Sequence, residues 1–299
     1  MDYKKIIPSR NVRFAILKTL GFVPDPMMLK LQYLMKTGRR LNLDTPERFT
    51  EKLQWYKLHY RNPVMRQCAD KYEVRDFVAG KNLEDKLVKL YAHYESVDQV
   101  EWDKLPDRFV MKTTNGGGGL NVIVCPDKAK LDMNDVREKL KNRESRSWIG
   151  GREWAYSGLK PGIVVEELLV NREDPEAGIP DYKFFCYNGK ARYIIVDTDR
   201  YIGHKRNFYD TEWNNLHIVS DCPPCDRELA PPDNLDEMLR TAEILSSGFP
   251  YVRVDLYNVN QQVYFGEMTF YPWSGYVQFQ PDEADILFGK DFRLNSFEG

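Results

Sequence analysis

The spacing of apolar and polar residues divides this chain into a helical first part and a remainder rich in strands. Up to about residue 65 the apolar residues recur at helical intervals, and LKLQYLMKTG ends at Gly38, a residue type that commonly terminates helices. TPERFTEKLQWYKLHY opens with Thr45 and Pro46, a capping residue followed by the proline favoured in a first turn, so the next helix is predicted to begin there. Amphipathic patterns predict two more helices, in ADKYEVRDFVAGK and NLDEMLRTAEILSS.

From Lys86 onwards short apolar segments predict strands, beginning with KLVKLYAHY and RFVMK. Three hairpins follow. The first spans Phe109–Cys125 around four consecutive glycines, the second is DYKFFCYNGKARYIIVDTD with the turn signal Asn188-Gly189, and the third is YVRVDLYNVNQQVYFGEMTF. Between the first two, GIVVEELLV predicts a continuous apolar strand with paired glutamates in its middle. This mixture of strands and helices indicates an α+β architecture rather than a regular βαβ array.

The composition is typical of a soluble globular protein and narrows the choice of partners. The 299 residues are 42% hydrophobic and 29% charged, and the net charge is −2, from 43 Lys and Arg against 45 Asp and Glu. No nucleic-acid partner is expected, because such binding depends on a clear positive excess. No segment is apolar over the ~18 residues that suggest a transmembrane helix. We therefore expect a cytoplasmic protein, with a peripheral membrane contact through Phe14–Phe22 as the alternative.

The five cysteines do not form the pattern of a disulfide framework, because their number is odd and their spacing sparse. Only the CPPC segment, Cys222 to Cys225, has suggestive spacing. It lies in a loop-like stretch rather than at the start of a helix, and a structural zinc ion would need two more ligands. We interpret the pair as an incidental feature of the surface.

Four consecutive glycines, Gly116, Gly117, Gly118 and Gly119, follow the strand that carries Lys112. A hairpin turn needs one or two glycines, and each extra glycine costs conformational entropy on folding. Backbone N–H groups that can approach a ligand closely, next to a lysine, suit the binding of a phosphate chain. The segment therefore predicts a phosphate-binding loop.

Two carboxylates are predicted to meet in the third hairpin. Side chains alternate between the faces of a strand, so Arg253 and Asp255 share one face, and Glu267 shares a face with Thr269 on the partner strand. Opposite residues of paired strands lie roughly 5–8 Å apart. Two acids so close suit Mg²⁺, which takes carboxylate oxygens together with nucleotide phosphates. The alternatives are two solvated acids, or an acid neutralised by Arg253.

A phosphate loop, a strand lysine and paired carboxylates indicate a nucleoside triphosphate site, but not one of the commonest kinds. The chain has no GxxxxGK[ST] motif and no protein-kinase HRD and DFG pair, and its glycines lead into a strand rather than a helix. The chain resembles the TupA-like branch of the ATP-grasp proteins, named for a teichuronopeptide biosynthesis protein. The resemblance spans nearly the whole chain, through LNLDTPERFTEKLQWYKLHYRNP, ADKYEVRDFV, FVMKTTNGGGG, GREWAYSGLKPGIVVEELL, DYKFFCYNGK, RNFYD and YVRVDLYNVNQQVYFGEMTFYPWSG.

The resemblance implies an ATP-grasp fold, with two α+β lobes clasping Mg·ATP after a helical N-terminal segment. It implies that this segment is residues 1–65. A lobe with the glycine-rich loop would follow at 66–165, and a lobe with the adenine contacts and magnesium carboxylates at 166–299.

The resemblance also implies which residues contact the phosphates of ATP. Lys112 would meet the α- and β-phosphates, and Gly116–Gly119 would fold over the β- and γ-phosphates. Lys71 resembles a second phosphate-contacting lysine, although an exposed lysine at a helix start is the alternative.

A second group of residues would contact the nucleoside. Glu166 would accept a hydrogen bond from the adenine amino group, and backbone groups near Leu168 and Leu169 would contact the ring edge. Glu167 would be either a ribose contact or a solvated strand acid. Asp181, on the second hairpin, would point toward the ribose.

Asp255 and Glu267 would hold magnesium. Many ATP-grasp enzymes have an asparagine two residues after the magnesium glutamate, and here that residue is Thr269. A threonine hydroxyl is a shorter, monodentate ligand, so the number of magnesium ions, one or two, stays open.

Three basic residues are candidates for the reacting centre. Lys183 shares a strand face with Asp181, and Arg253 lies beside the carboxylate pair. Arg206 is predicted in a loop after the second hairpin, where a guanidinium could clamp an acceptor carboxylate or the γ-phosphate. A solvated basic turn is the alternative for Arg206.

The activity that the resemblance implies is ATP-dependent carboxylate–amine ligation through an acyl phosphate. One substrate would be a small molecule or glycan with a carboxylate, and the other would be an amine. We expect an amino acid or amino sugar to be joined to a sugar carboxylate, in cell-surface polysaccharide biosynthesis. The alternatives are a glycan kinase that uses the same site and a module that binds ATP without turnover.

Overall fold

The computed structural model describes residues 9–116, 121–140, 150–171, 178–199 and 203–294. The helices are α1 (Arg10–Thr19), α2 (Asp25–Thr37), α3 (Phe49–His59), α4 (Val64–Ala69), α5 (Val74–Ala79), α6 (Met133–Leu140), α7 (Leu235–Ser246) and α8 (Glu283–Asp291). The strands are β1 (Leu90–Tyr94), β2 (Phe109–Thr113), β3 (Val122–Cys125), β4 (Ile163–Glu166), β5 (Asp181–Tyr187), β6 (Lys190–Thr198), β7 (Lys205–Asp210), β8 (Tyr251–Val259) and β9 (Gln262–Thr269).

The strands form two antiparallel sheets. The first has the order β1-β4-β2-β3, and the second has the order β7-β6-β5-β8-β9. Helices accompany both, which confirms the predicted α+β class. The chain passes from the first sheet to the second between Glu166, the last residue of β4, and Asp181, the first residue of β5.

The three predicted hairpins are present. β2 pairs with β3, β5 with β6 and β8 with β9. The second hairpin turns at Asn188 and Gly189, with positive φ angles of 49° and 76°, as its sequence predicts. β4 is shorter than predicted, because it ends at Glu166, and Glu167 lies just after the strand rather than in its middle.

Two predicted helices differ from the observed ones. The prediction that a helix begins at Thr45 is wrong, because α3 begins at Phe49. The carboxylate of Glu51, in the first turn of α3, accepts from the backbone nitrogens of Glu47 and Arg48 and so caps the helix at this point.

The helix predicted for ADKYEVRDFVAGK is shorter than predicted, because it begins only at Val74 as α5, while α4 ends at Ala69. The Asp70 carboxylate accepts from the backbone nitrogens of Tyr72 and Glu73 at 2.8 and 3.1 Å, which forms a turn between α4 and α5. Lys71 therefore lies in a turn, and not at a helix start.

The larger hydrophobic core lies between the second sheet and the helices packed on it. Phe49 of α3 is fully buried at its centre, with ring contacts to Phe185, Tyr251, Phe288 and Phe292 at centroid distances of 5.1–6.5 Å. A smaller core covers one face of the first sheet. The N-terminal part of the chain is thus joined to the second sheet through α3.

α8 packs against the start of α3 without room for a side chain between them. A Cβ atom on Gly289 would overlap the carbonyl oxygen of Glu47 and lie 2.8 Å from the amide nitrogen of Phe49. Lys52 of α3 also donates to the carbonyl oxygen of Gly289 at 2.7 Å. This close approach holds the two helices together.

None of the described helices combines the length and the apolar character needed to cross a membrane.

Replacing Gly289 with alanine should lower the free energy of unfolding by about 1–3 kcal/mol, because the added methyl group meets backbone atoms that cannot rotate away. Urea unfolding followed by circular dichroism measures this. Gly21→Ala is the matched control, since a Cβ atom there meets nothing within 4 Å. Equal midpoints for the two variants would contradict the proposed contact.

Candidate active site

In the first sheet, a buried carboxylate lies between two cations. Lys112, on β2, places its Nζ 2.8 Å from Oε2 of Glu166, at the end of the neighbouring strand β4. Nη1 of Arg75, on α5, lies 3.0 Å from the other carboxylate oxygen. The predicted residues Lys112 and Glu166 are thus brought together. Arg75 was missed, because its position in an amphipathic helix carries no signal of a site.

The start of the glycine-rich loop closes this site on one side. A Cβ atom on Gly116 would overlap the side-chain oxygen of Thr113, so the close turn requires glycine there. Lys71 donates from its backbone nitrogen to the Thr114 carbonyl at 3.0 Å, and its Nζ contacts the Gly116 carbonyl. Gly117, Gly118 and Gly119 lie outside the described residues.

Lys71 connects the two halves of the site. Burial lowers the pKa of Lys71, while the negative charge of Glu267 on the second sheet acts in the opposite direction. Lys71 therefore lies within electrostatic reach of Glu267, one of the two predicted metal carboxylates, as well as of Lys112 and Glu166.

The chain leaves the first sheet directly after Glu166. Glu167 is exposed, and its backbone nitrogen donates to the Lys89 carbonyl at 2.9 Å. Leu168 and Leu169 are half-buried in the segment that leads toward the second sheet. The predicted nucleoside contacts thus follow one another along this connection.

In the second sheet, Asp255 and Glu267 are direct cross-strand partners, as predicted. A bulge follows Asp255 in the pairing of β8 with β9. Burial raises the pKa of Asp255 to about 6, partly offset by the neighbouring cations. Burial alone would also raise the pKa of Glu267, but Lys71 and Arg253 lower it to about 2.

The three predicted magnesium ligands converge on one atom of Arg253. Its Nη2 lies 2.6 Å from Asp255 Oδ2, 3.1 Å from Glu267 Oε1 and 3.1 Å from Thr269 Oγ1. Two carboxylates and a hydroxyl aimed at one cation are the hard oxygen donors that suit Mg²⁺. Among the described residues no group of three or more His, Cys, Asp or Glu side chains could hold a metal. Asp255, Glu267 and Thr269 are two carboxylates and a hydroxyl, so a magnesium ion bound there would need further oxygen ligands.

Lys183 lies among three buried carboxylates. Its Nζ contacts Asp181 and is 3.0 Å from Asp255 Oδ2 and 3.7 Å from Asp197 Oδ2. Asp181 and Lys183 thus share a face, as predicted, but Asp181 is buried and bound to the lysine. Asp197 was not predicted, because its single carboxylate in an apolar strand resembles many structural acids.

The prediction that Arg206 lies in a loop is wrong, because β7 begins at Lys205 and pairs Arg206 with Asp197. Nε and Nη2 of Arg206 bind the two Asp197 oxygens at 2.6 and 3.0 Å, and Nη1 contacts Asp221. Burial alone would raise the pKa of Asp197, but Arg206 and Lys183 hold it well below its usual range. Arg206 is a buried ion-pair residue and not a solvated turn.

These residues form a charged row across one face of the second sheet. We call it the charge row, and its members are Arg206, Asp197, Lys183, Asp181, Asp255, Arg253 and Glu267. Its Glu267 end lies within electrostatic reach of Lys71, whose Nζ contacts the Gly116 carbonyl at the start of the glycine-rich loop.

A lysine and glycine loop on one sheet opposite paired carboxylates on another is the arrangement expected of an ATP-grasp protein. The model of the family described as TupA-like ATPgrasp matches residues 51–293. The chain belongs to the TupA-like ATP-grasp family, as its sequence predicts. Comparison with curated protein sequences gives no match.

Similar solved structures include the L-amino acid ligase from Bacillus licheniformis, which is 14% identical with a TM-score of 0.43. That match covers 85% of this chain and 55% of the ligase. The D-alanine–D-alanine ligase from Bacillus anthracis complexed with ATP is 15% identical with a TM-score of 0.42, over 78% of this chain and 67% of the ligase. The chain spans 57% and 61% of two further D-alanine–D-alanine ligases, from Bacillus anthracis and Helicobacter pylori.

Replacing Lys183 with methionine should lower the free energy of unfolding by about 3–5 kcal/mol, because it leaves buried carboxylates without their shared cation. Lys190→Met is the matched control. Its ion pair with Glu243 lies at the surface, where the lysine side chain is 65% exposed, and the expected loss is under about 1 kcal/mol. Urea midpoints that fall equally in both variants would show that Lys183 does not neutralise the row.

Proposed function

We propose that this protein is an ATP-dependent carboxylate–amine ligase. The observation that carries the proposal is the position of Lys71, which contacts the carbonyl groups of Thr114 and Gly116 at the glycine-rich loop and also lies within electrostatic reach of the Glu267 carboxylate of the second sheet. Phosphate-binding cations and metal-binding carboxylates then border one space. Family membership supports this use of the site.

ATP is proposed to lie between the two sheets. Lys112, Lys71 and the N–H groups of Gly116–Gly119 would bind the phosphates, because ammonium groups and backbone donors suit phosphate oxygens. Phosphate oxygens would then take over part of the contact that Lys112 makes with Glu166.

The nucleoside is proposed to lie along the connection after β4. Glu166 would accept from the adenine amino group, and the backbone near Leu168 and Leu169 would contact the ring. The exposed Glu167 is available for the ribose, whereas Asp181 would act through Lys183, to which it is bound.

Magnesium is proposed to bind to Asp255, Glu267 and Thr269, in place of their contacts with Arg253 Nη2. Glu267 is 37% exposed and so accessible to the ion, whereas Asp255 is buried. Bound magnesium supplies positive charge that neutralises the transferring phosphoryl group.

In the proposed reaction a substrate carboxylate oxygen attacks the γ-phosphorus of ATP, which gives an acyl phosphate and ADP. An amine then attacks the acyl carbon, forms the amide and releases phosphate. Lys183, Arg206 and Arg253 are the candidate catalytic cations. Arg206 and Lys183 are held by buried carboxylates and need little rearrangement as negative charge develops, whereas Arg253 would exchange its Nη2 contacts for others when magnesium binds.

The substrates are proposed to be a sugar carboxylate and an amino acid or amino sugar, in the cytoplasmic synthesis of a cell-surface polysaccharide. The lobes are proposed as residues 66–165 and 166–299, after a helical segment 1–65.

The proposal is tested by product analysis after incubation with Mg·ATP, pooled amino acids and pooled uronic acids, with hydroxylamine in a parallel sample. ADP together with an amide or a hydroxamate is expected, because hydroxylamine captures an acyl phosphate. Lys112→Ala and Glu267→Ala should abolish both products, whereas Lys190→Met should not. A phosphorylated sugar without an amide would establish a kinase instead, and ATP binding without turnover would indicate a binding module.

A further inference from the structure

The CPPC segment is fixed against the end of the charge row. Pro223 accepts at its carbonyl from the Arg206 backbone nitrogen at 2.9 Å, and Cys225 donates from its backbone nitrogen to Asn207 Oδ1 at 2.8 Å. Asp221, directly before the segment, contacts Arg206 and accepts from Trp273 Nε1 at 3.0 Å. The segment is therefore a fixed neighbour of Arg206 rather than an incidental feature.

One of its two thiols lies beside an imidazole. Sγ of Cys222 is 3.3 Å from Nδ1 of His204, and the other ring nitrogen is 3.3 Å from Oδ1 of the buried Asp197. A thiol next to an imidazole can pass its proton to the ring, and a nearby carboxylate stabilises the resulting imidazolium.

The remaining cysteines provide the contrast. Cys225, three residues away, is half-buried like Cys222, and neither cysteine forms a disulfide. Cys68, Cys125 and Cys186 are buried, and burial raises the pKa of each thiol. Inert thiols of this kind are typical of protein cores.

We propose that Cys222 is a base-activated thiol and the site at which electrophiles and hydroperoxides modify this protein. With hydrogen peroxide, the thiolate attacks one of the two oxygens, so that an S–O bond forms and the O–O bond breaks. The departing hydroxide takes the proton from the His204 imidazolium and leaves as water. Sulfur is oxidised by two electrons to a sulfenic acid while the peroxide is reduced.

Modification of Cys222 is inferred to lower activity at the nucleotide site. A larger group on Sγ would displace His204, whose other ring nitrogen lies 3.3 Å from Asp197, the carboxylate that holds Arg206. This consequence rests on the proposed function, whereas the reactivity of the thiol does not.

Reactivity is tested by limited iodoacetamide labelling of the folded chain, with peptide mass spectrometry to measure each cysteine separately. Cys222 should react about tenfold faster than Cys225, because only Cys222 has a neighbouring base. His204→Gln should reduce the Cys222 rate to that of Cys225 and leave Cys225 unchanged, which also shows that the variant is folded. Equal rates in the unmodified chain, or no effect of His204→Gln on Cys222, would overturn the proposal.

The consequence is tested with hydrogen peroxide, which should reduce ADP formation in the wild-type chain and spare Cys222→Ser. Equal loss in both would overturn the link to the nucleotide site. If the chain forms no ADP at all, the proposed function fails, while the labelling rates still decide whether Cys222 is activated.

A second, independent observation concerns the N-terminal helices. α2 buries Met28 and Leu29, yet its opposite side presents an exposed apolar stripe of Met27, Leu31, Leu34 and Met35. This spacing places all four on neighbouring turns of one side.

Phe22, just before α2, is 81% exposed, and Val12 and Ile16 of α1 are exposed as well. Elsewhere in the described residues, large exposed apolar side chains occur singly, at Tyr72, Val124, Ile244 and Leu287.

The charge of this segment is opposite to that of the whole chain. Residues 9–40 contain seven basic residues and one acidic residue, whereas the chain has a net charge of −2. The acidic residue, Asp25, is paired with Arg152 at 3.0 Å. Lys18, Lys30 and Arg40 are exposed around the apolar stripe.

We infer that this apolar–basic face, residues 12–40, binds an anionic lipid surface. The apolar side chains would enter the boundary between headgroups and acyl chains, while the lysines and arginines meet anionic headgroups. The membrane contact predicted for Phe14–Phe22 is therefore proposed to lie mainly on α2 instead. Phe14 and Leu17 are half-buried, whereas the apolar stripe of α2 is exposed.

The test is cosedimentation with phosphatidylglycerol–phosphatidylcholine vesicles and with pure phosphatidylcholine vesicles. Binding only to the anionic vesicles is expected, with loss of binding at an ionic strength of about 1 M, where charges are screened within ~3 Å.

The double variant Phe22→Ser with Met27→Ser should weaken vesicle binding about tenfold or more, since each side chain loses apolar burial. Val124→Ser with Leu287→Ser is the matched control and should bind normally. Equal binding by the two double variants, or gel filtration showing that the face joins two copies of the chain, would overturn the inference.

Discussion

The alternation of charge across the second sheet is the constraint on which the site depends. Arg206, Asp197, Lys183 and Asp255 follow one another on neighbouring strands, each within 3.7 Å of the next. A buried charge is costly unless an opposite charge lies beside it. The sheet therefore holds its catalytic candidates in one arrangement, because moving any of them would leave a buried charge unpaired.

The two ends of the charge row have different surroundings. At the β9 end, Glu267 is partly exposed and lies near Lys71, which belongs to the turn that supports the glycine-rich loop. At the β7 end, Arg206 is enclosed by Asp197, Asp221 and the Trp273 ring. Metal and phosphate chemistry suits the first end, whereas the second end carries the Cys222–His204 pair.

The Cys222–His204 pair and the apolar–basic face lie outside the residues that are proposed to bind ATP and magnesium. The CPPC segment contacts β7 directly, because Pro223, next to Cys222, accepts at its carbonyl from the Arg206 backbone nitrogen and Cys225 donates to the Asn207 side chain. The apolar–basic face belongs to α1 and α2, away from both sheets in sequence, and α2 presents apolar side chains on two sides.

Local sequence determined the hairpins, the turn at Asn188-Gly189 and the facing positions of Asp255 and Glu267, because the two-residue period of a strand fixes which side chains share a face. It also determined the family, through motifs along most of the chain. Only the tertiary structure brought Arg75 to Glu166 and Arg206 to Asp197, because these partners come from separate elements. It also placed Arg253 at the centre of the predicted metal ligands. Pairing between elements distant in sequence leaves no periodic signal, so burial and charge neutralisation in the folded chain decided it.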